Sequence, residues 1–132
     1  MGGKTLSKDQ LMQSVNAYLV AYSAQDSDGC ARTFTPDGVL FSPYGPPARG
    51  REAIAATHLE WFGENEEDKR LEVLEFHENG ESGHCLLGWS ARVPDANEAR
   101  GFRAVSGVSL CVLTLTGNEV LFSRLALVPD AA

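Results

Sequence analysis

No stretch of the 132-residue chain approaches the run of about 18 apolar residues that a membrane-spanning helix needs. The start, Met1-Gly2-Gly3-Lys4-Thr5, has no apolar signal core, so neither export nor membrane insertion is indicated and a cytoplasmic, membrane-free protein is expected. Positive charge is scarce: 11 Lys and Arg face 18 Asp and Glu, a net charge of -7. The cations are scattered rather than striped along one element, so phosphate backbones would be repelled and a nucleic-acid partner is excluded. Only three cysteines occur, Cys30, Cys85 and Cys111, and their odd number and wide spacing suit reduced thiols rather than a disulfide framework. His77 and His84 can meet across a hairpin, but no third ligand stands at a usual spacing, which favours cross-strand packing over a metal site. A Ser-His-Asp nucleophile built from Ser42 and His58 has no sequence signature. No cofactor is called for.

What is present suffices for one core: 43% of the residues are hydrophobic, and the length fits a single domain over residues 1–132, with 1–6 expected to be loose. There is no internal repeat and no low-complexity tract. The most informative stretch runs from Phe34 to Phe62. Val39-Leu40-Phe41 reads as a short strand that Pro43 stops, because proline cannot donate to a ladder. A loop rich in Pro and Gly, Tyr44 to Gly50, then leads into a helix whose Ile54, His58, Trp61 and Phe62 share a face. One imidazole therefore sits in an apolar stripe.

Before that stretch, Ser7-Lys8-Asp9-Gln10 matches a capping box, and Leu11, Val15, Tyr18 and Tyr22 follow at helical spacing, which predicts a first helix over Lys8 to Ser23. A short second helix is expected over Gly29 to Phe34, with Ser27 or Asp28 as its cap. After the third helix, Glu64 to Asp68 is an acidic run read as a solvated loop. Strands are expected over Leu71 to Glu78, Gly83 to Val93, Arg100 to Thr116 and Val120 to Val128. Asn79-Gly80 supplies a primed turn, Gly117-Asn118 turns the last pair, and Gly101 and Gly107 mark bends or bulges. The order gives an α+β domain with three N-terminal helices on one face of a curved antiparallel sheet.

The last two strands are apolar on both sides. Leu110 and Val112 alternate with Cys111 and Leu113, and Leu121, Leu125 and Leu127 alternate with Phe122, Ala126 and Val128. Helices cover one face, and a second copy of the sheet is the simplest cover for the other, which predicts a homodimer; the alternative is a sheet that closes partly on itself.

Together these residues resemble the nuclear transport factor 2-like superfamily in its SnoaL-like or ketosteroid-isomerase-like branch. The likeness is carried by Tyr18-x-x-x-Tyr22-x-x-x-Asp26, Phe34-x-x-Asp37-Gly38-Val39 and Pro43-x-Gly45-x-x-x-x-Gly50-Arg51-Glu52-x-Ile54, and spans Leu11 to Val128. It implies a cone-shaped domain with a pocket between the helices and the concave side of a strongly curved antiparallel or mixed sheet, and commonly a dimer packed through the sheet. It also implies that Tyr18 matches the tyrosine such isomerases use to donate to a substrate oxyanion, and that His58 falls where part of the family has a supporting tyrosine. The proton-shuttling aspartate falls on Ser42, which cannot take a proton at neutral pH. The second acid of the oxyanion hole falls near Ser109 or Cys111, where there is no carboxylate, so steroid isomerisation by the usual base is disfavoured.

Tyr18 and His58 are the candidate catalytic pair, since His58 titrates near neutrality, although each also reads as a core residue with a satisfied polar atom. The pocket is expected to be enclosed by Phe34, Phe41, Phe62 and Trp89, with Phe102 and Phe122 on the sheet wall. Ser42, Ile54 and Cys111 are placed beside it. Arg124 either reaches into the pocket, to hold a carboxylate or enolate, or pairs across the dimer. Tyr22 is expected near the rim, Asp26 or Asp28 as caps and Asp37 in a turn. Two functions remain open: a small-molecule enzyme moving protons on an apolar oxygenated substrate, as an isomerase, dehydratase or polyketide-type cyclase does, and a non-catalytic dimeric domain for ligand binding or assembly.

Overall fold

The computed structural model describes residues 4–130. Helix α1 spans Lys8–Ser23, and the capping box is complete: Gln10 N–H donates to Ser7 Oγ and Ser7 N–H to Gln10 Oε1, both at 3.1 Å. Helix α2 spans Ser27–Arg32. Its cap is Asp26, whose carboxylate accepts from Gly29 N–H at 3.0 Å, rather than Ser27 or Asp28. It stops before Phe34 because that residue opens strand β1, Phe34–Phe41, where it pairs with Phe122. The two-residue β2, Ala48–Arg49, precedes α3, Gly50–Phe62, whose buried Ile54, His58 and Phe62 recur every fourth residue. Four long strands follow: β3 Glu67–Asn79, β4 Ser82–Pro94, β5 Phe102–Thr116 and β6 Glu119–Pro129.

These strands form one open six-stranded sheet in the order β2-β1-β6-β5-β4-β3. The β1–β6 pair is parallel and the others are antiparallel, so the sheet is mixed and the domain α+β. Strict alternation sets the inner face: Cys85, Leu87, Trp89 and Ala91 of β4 are buried, as are Ser109, Cys111, Leu113 and Leu115 of β5. The three cysteines are free and buried. The outer face keeps Leu74, Leu110, Val112 and Val128 about half exposed. His77 and His84 stand opposite each other there, with ring centroids 4.8 Å apart.

Several local expectations are corrected. The β3–β4 turn is Gly80-Glu81, with Gly80 alone at φ +67°, one residue later than an Asn-Gly turn. Gly101 lies in the connection before β5 at φ +79°. Gly107 is a regular ladder residue, and its glycine is a matter of space: a Cβ there would run into the Val128 carbonyl and stand 2.7 Å from the Trp89 indole. The irregularity in this pair falls instead between Val112 and Leu113, opposite Arg124 and Phe122. At the N-terminus Leu6 is buried and its N–H donates to the Gly80 carbonyl at 2.9 Å, so the chain is tied down from there. Residues 1–3 of the expected loose segment lie outside the described residues. No helix among the described residues is long and apolar enough to cross a membrane.

Candidate functional site

A cavity of about 270 Å³ opens between the helices and the inner face of the sheet. Its walls are largely apolar, with Val15, Phe34, Leu40, Leu87 and Trp89 among them; Tyr44, Glu64, Arg103 and Ser109 also border it, and the hydrogen-bonded buried polar groups gather at two corners.

The first corner joins α1 to α3. Tyr18 lines the cavity, and its hydroxyl lies 2.7 Å from His58 Nε2. His58 itself is fully buried and is not among the lining residues, because the Tyr18, Tyr22, Trp61 and Phe62 rings pack around it. Its Nδ1 lies 2.8 Å from the Ile54 carbonyl, one helical turn back. A carbonyl only accepts, so Nδ1 carries the hydrogen. Burial holds the imidazole down to about 4, partly offset by the Ile54 carbonyl, and the ring is neutral at neutral pH. Nε2 is therefore a lone pair, and the Tyr18 hydroxyl donates to it. Burial raises the Tyr18 pKa well above the ordinary range. The cavity thus meets Tyr18 chiefly as an acceptor oxygen whose hydrogen is shared with a buried base.

The second corner joins the end of α1 to the start of β3. Tyr22 is buried rather than at the rim, lines the cavity, and donates its hydroxyl to Glu66 Oε1 at 2.7 Å. Lys69 Nζ lies 3.4 Å from the same oxygen, both side chains being less than 15% exposed. The ammonium also lies 4.6 Å from the Trp89 ring centre and 4.9 Å from that of Tyr22, close enough for cation–π attraction. Burial lowers the Lys69 pKa while Glu66 pulls it back, and burial together with the Glu66 bond raises the hydroxyl pKa of Tyr22. The acidic run is thus not wholly solvated. Asn65 and Asp68, at φ +58° and +56°, bracket Glu66, and a ladder irregularity falls between Glu67 and Arg70. Asn and Asp are the side chains that tolerate this conformation best.

Of the residues expected around the pocket, Phe34, Trp89 and Phe122 line the cavity with Tyr18. Phe41 does not, being 37% exposed at the end of β1, whose inward residue is Leu40. Ser42 lies past the strand, where Oγ accepts from Tyr44 N–H at 3.4 Å. Ile54 is fully buried beneath the site and contributes its carbonyl. Phe62 lines a neighbouring cavity, Cys111 is packed in the core opposite Cys85, and Phe102 lies under the Arg92 guanidinium at 5.3 Å. Arg124 does not reach the cavity. The bulge at Ser123 puts Phe122 inward and Arg124 outward, where its guanidinium donates to the Asp37 and Ser123 carbonyls.

An open mixed sheet with three helices over a cavity on its inner face defines the class of cone-shaped α+β domains called nuclear transport factor 2-like. Within it, the chain belongs to the SnoaL-like domain family, whose family model matches residues 15–113. It is similar in fold to a ketosteroid isomerase-like protein from Erwinia carotovora atroseptica SCRI1043, at 20% identity and a TM-score of 0.78 over 96% of this chain and 100% of that one. A nuclear transport factor 2-like superfamily protein from Salmonella enterica serovar Typhimurium gives 16% identity and 0.73, covering 95% of this chain and 92% of that one. ActVI-ORFA from Streptomyces coelicolor gives 20% and 0.71, covering 92% and 96%. No curated protein matches the chain.

Proposed function

We propose that the chain is a small-molecule enzyme that moves protons on an apolar, oxygenated substrate held in the helix–sheet cavity, as an isomerase, a dehydratase or a polyketide-type cyclase does. The observation that carries the reading is the Tyr18 hydroxyl in the wall of a largely apolar cavity, hydrogen-bonded to a buried imidazole whose other nitrogen is fixed by Ile54. His58 cannot touch a substrate. Its part is to orient the Tyr18 hydroxyl, so that a substrate oxygen gaining negative charge competes with Nε2 for the Tyr18 hydrogen and draws it across. A steroid isomerase working through the usual aspartate is not proposed, because Ser42 offers no carboxylate and stands outside the cavity wall. The test is a screen of hydrophobic ketones, enones and β-hydroxy carbonyl compounds for turnover, comparing the wild type with Tyr18→Phe. At least a tenfold loss in the variant is expected, and equal rates would end the reading.

The exposed Leu74, Leu110, Val112 and Val128 on the outer sheet face favour a homodimer through that face. Light scattering at micromolar concentration should give about twice the 14.2 kDa chain mass, and Leu110→Glu should return it to one. In the alternative, non-catalytic reading the same dimer serves ligand binding or assembly. The absence of a carboxylate at Ser42 favours it, and it predicts binding without turnover.

A further inference from the structure

We propose that Glu66 and Lys69 are the catalytic pair of this cavity: the Glu66 carboxylate takes a proton from the carbon beside a carbonyl group while the Lys69 ammonium holds the carbonyl oxygen as it becomes an enolate. The assignment rests on the proton-transfer reading above and supplies the base which that reading lacks. Tyr18 presents a hydroxyl, His58 is sealed behind it and Ser42 stands outside the wall; of the two carboxylates that line the cavity, Glu64 is exposed, whereas Glu66 is largely buried and fixed by Tyr22.

The carboxylate is positioned for the task. Tyr22 and Lys69 both approach Oε1, which fixes the group and leaves Oε2 with no partner among the described residues. Lys69 has three ammonium hydrogens, and Glu66 engages one of them. Arg103, the other cation lining the cavity, is about half exposed and paired with Asp95, whereas the Lys69 side chain is only 11% exposed, so Lys69 is the cation that a ligand meets away from water. A carbonyl oxygen and the carbon beside it are two bonds apart, a span that a carboxylate and an ammonium 3.4 Å apart can bracket. The left-handed Asn65 and Asp68 on either side of Glu66, with the irregularity before Arg70, turn both side chains toward one cavity. A second cavity of about 250 Å³ shares Tyr22, Trp61, Glu66 and Lys69 with the first, and gives Glu66 a route for exchanging its proton with solvent.

The step balances within the site. The C–H bond breaks and an O–H bond forms on Glu66 Oε2; the C–H electron pair becomes the C=C bond, and the carbonyl π pair moves to the oxygen beside Lys69. Return of the proton to the same carbon or to its conjugated partner completes an exchange or an isomerisation. The substrate class is therefore a hydrophobic ketone or dicarbonyl compound with an acidic α-hydrogen.

The experiment follows α-hydrogen exchange of 2-tetralone in D2O by proton NMR, alongside fluorescence titration with 2-naphthol as an enolate mimic. Circular dichroism checks that each variant is folded. The wild type should accelerate exchange, and Glu66→Gln should lose about 10²-fold or more, the range of general base catalysis. Glu66→Asp keeps the charge but withdraws the oxygen by one methylene, and should also lose rate. Lys69→Met should lose at least tenfold in both exchange and 2-naphthol affinity, Lys69→Arg should retain part of each, and Ser42→Ala should change neither. Wild-type exchange in both Glu66 variants, with Tyr18→Phe inactive, would overturn the pair and leave the proposed function standing. Binding of 2-naphthol without any exchange would overturn it in favour of a binding domain. Neither binding nor exchange would overturn it together with the reading it rests on.

Discussion

The two polar corners of the cavity are built on opposite principles. At Tyr18 and His58 the groups are neutral, fully satisfied by short hydrogen bonds, and carried by the apolar stripes of two helices. At Glu66 and Lys69 the groups are charged, loosely paired, and carried by the residue before β3 and the irregular start of that strand. The first corner is part of the core that reaches the cavity through the Tyr18 hydroxyl, whereas the second is part of the cavity wall that is tied to the core through Tyr22. The difference teaches that burial and access need not coincide: the more deeply buried imidazole is the group that the cavity does not reach.

The comparison predicts its largest contrast in stability. His58→Ala removes a fully buried ring packed against four aromatic side chains and leaves the Tyr18 hydroxyl without its acceptor. Cavity and orphaned-group costs together make a loss of about 4 kcal/mol in urea unfolding. A loss under about 1 kcal/mol would mean that the helix corner is as loose as the charged one.

Next in size is the pH dependence. An unfolded His58 takes a proton near its ordinary 6.5, whereas the folded ring resists one until about 4. The unfolded state therefore binds more protons in that window, so the stabilising contribution is whole above 6.5 and is lost as the pH falls toward 4, about 3 kcal/mol in all. Carboxylates also titrate there, so the measure is the difference between wild type and His58→Gln across pH 4 to 7. Parallel curves would show that His58 is not held neutral by burial.

The helix corner was legible in the sequence and the charged corner was not, for a definite reason. Capping at Ser7, the three-to-four spacing of Leu11, Val15, Tyr18 and Tyr22, and the stripe of Ile54, His58 and Phe62 all follow the helical period, which the tertiary structure leaves intact. The strand half obeys period two only between bulges. At Ser123 one extra residue separates Phe122 from Arg124 and sends the arginine outward, and β1 shifts register between Phe34 and Val39, so neighbours expected to share the pocket part company. Glu66 was hidden inside a run of like charges. Lys69 carried a signal all the same: it has the parity of Leu71 and Val73, both partly buried and packed on the core.

The smallest effect is expected where the charges are thickest. Breaking the Glu66–Lys69 pair from one side leaves a poorly hydrated ion, but replacing both partners as a unit, Glu66→Gln with Lys69→Met, removes the charges and their desolvation costs together. Glutamine keeps an oxygen to accept from Tyr22, and methionine keeps an apolar stem against Trp89 and Tyr22. Urea midpoints should therefore place the double variant within about 1 kcal/mol of the wild type, either way. A charged pair that can be erased without loss of stability is not there to hold the fold. If the double variant instead falls by as much as His58→Ala, the two corners are alike, and the pair belongs to the scaffold rather than to the chemistry.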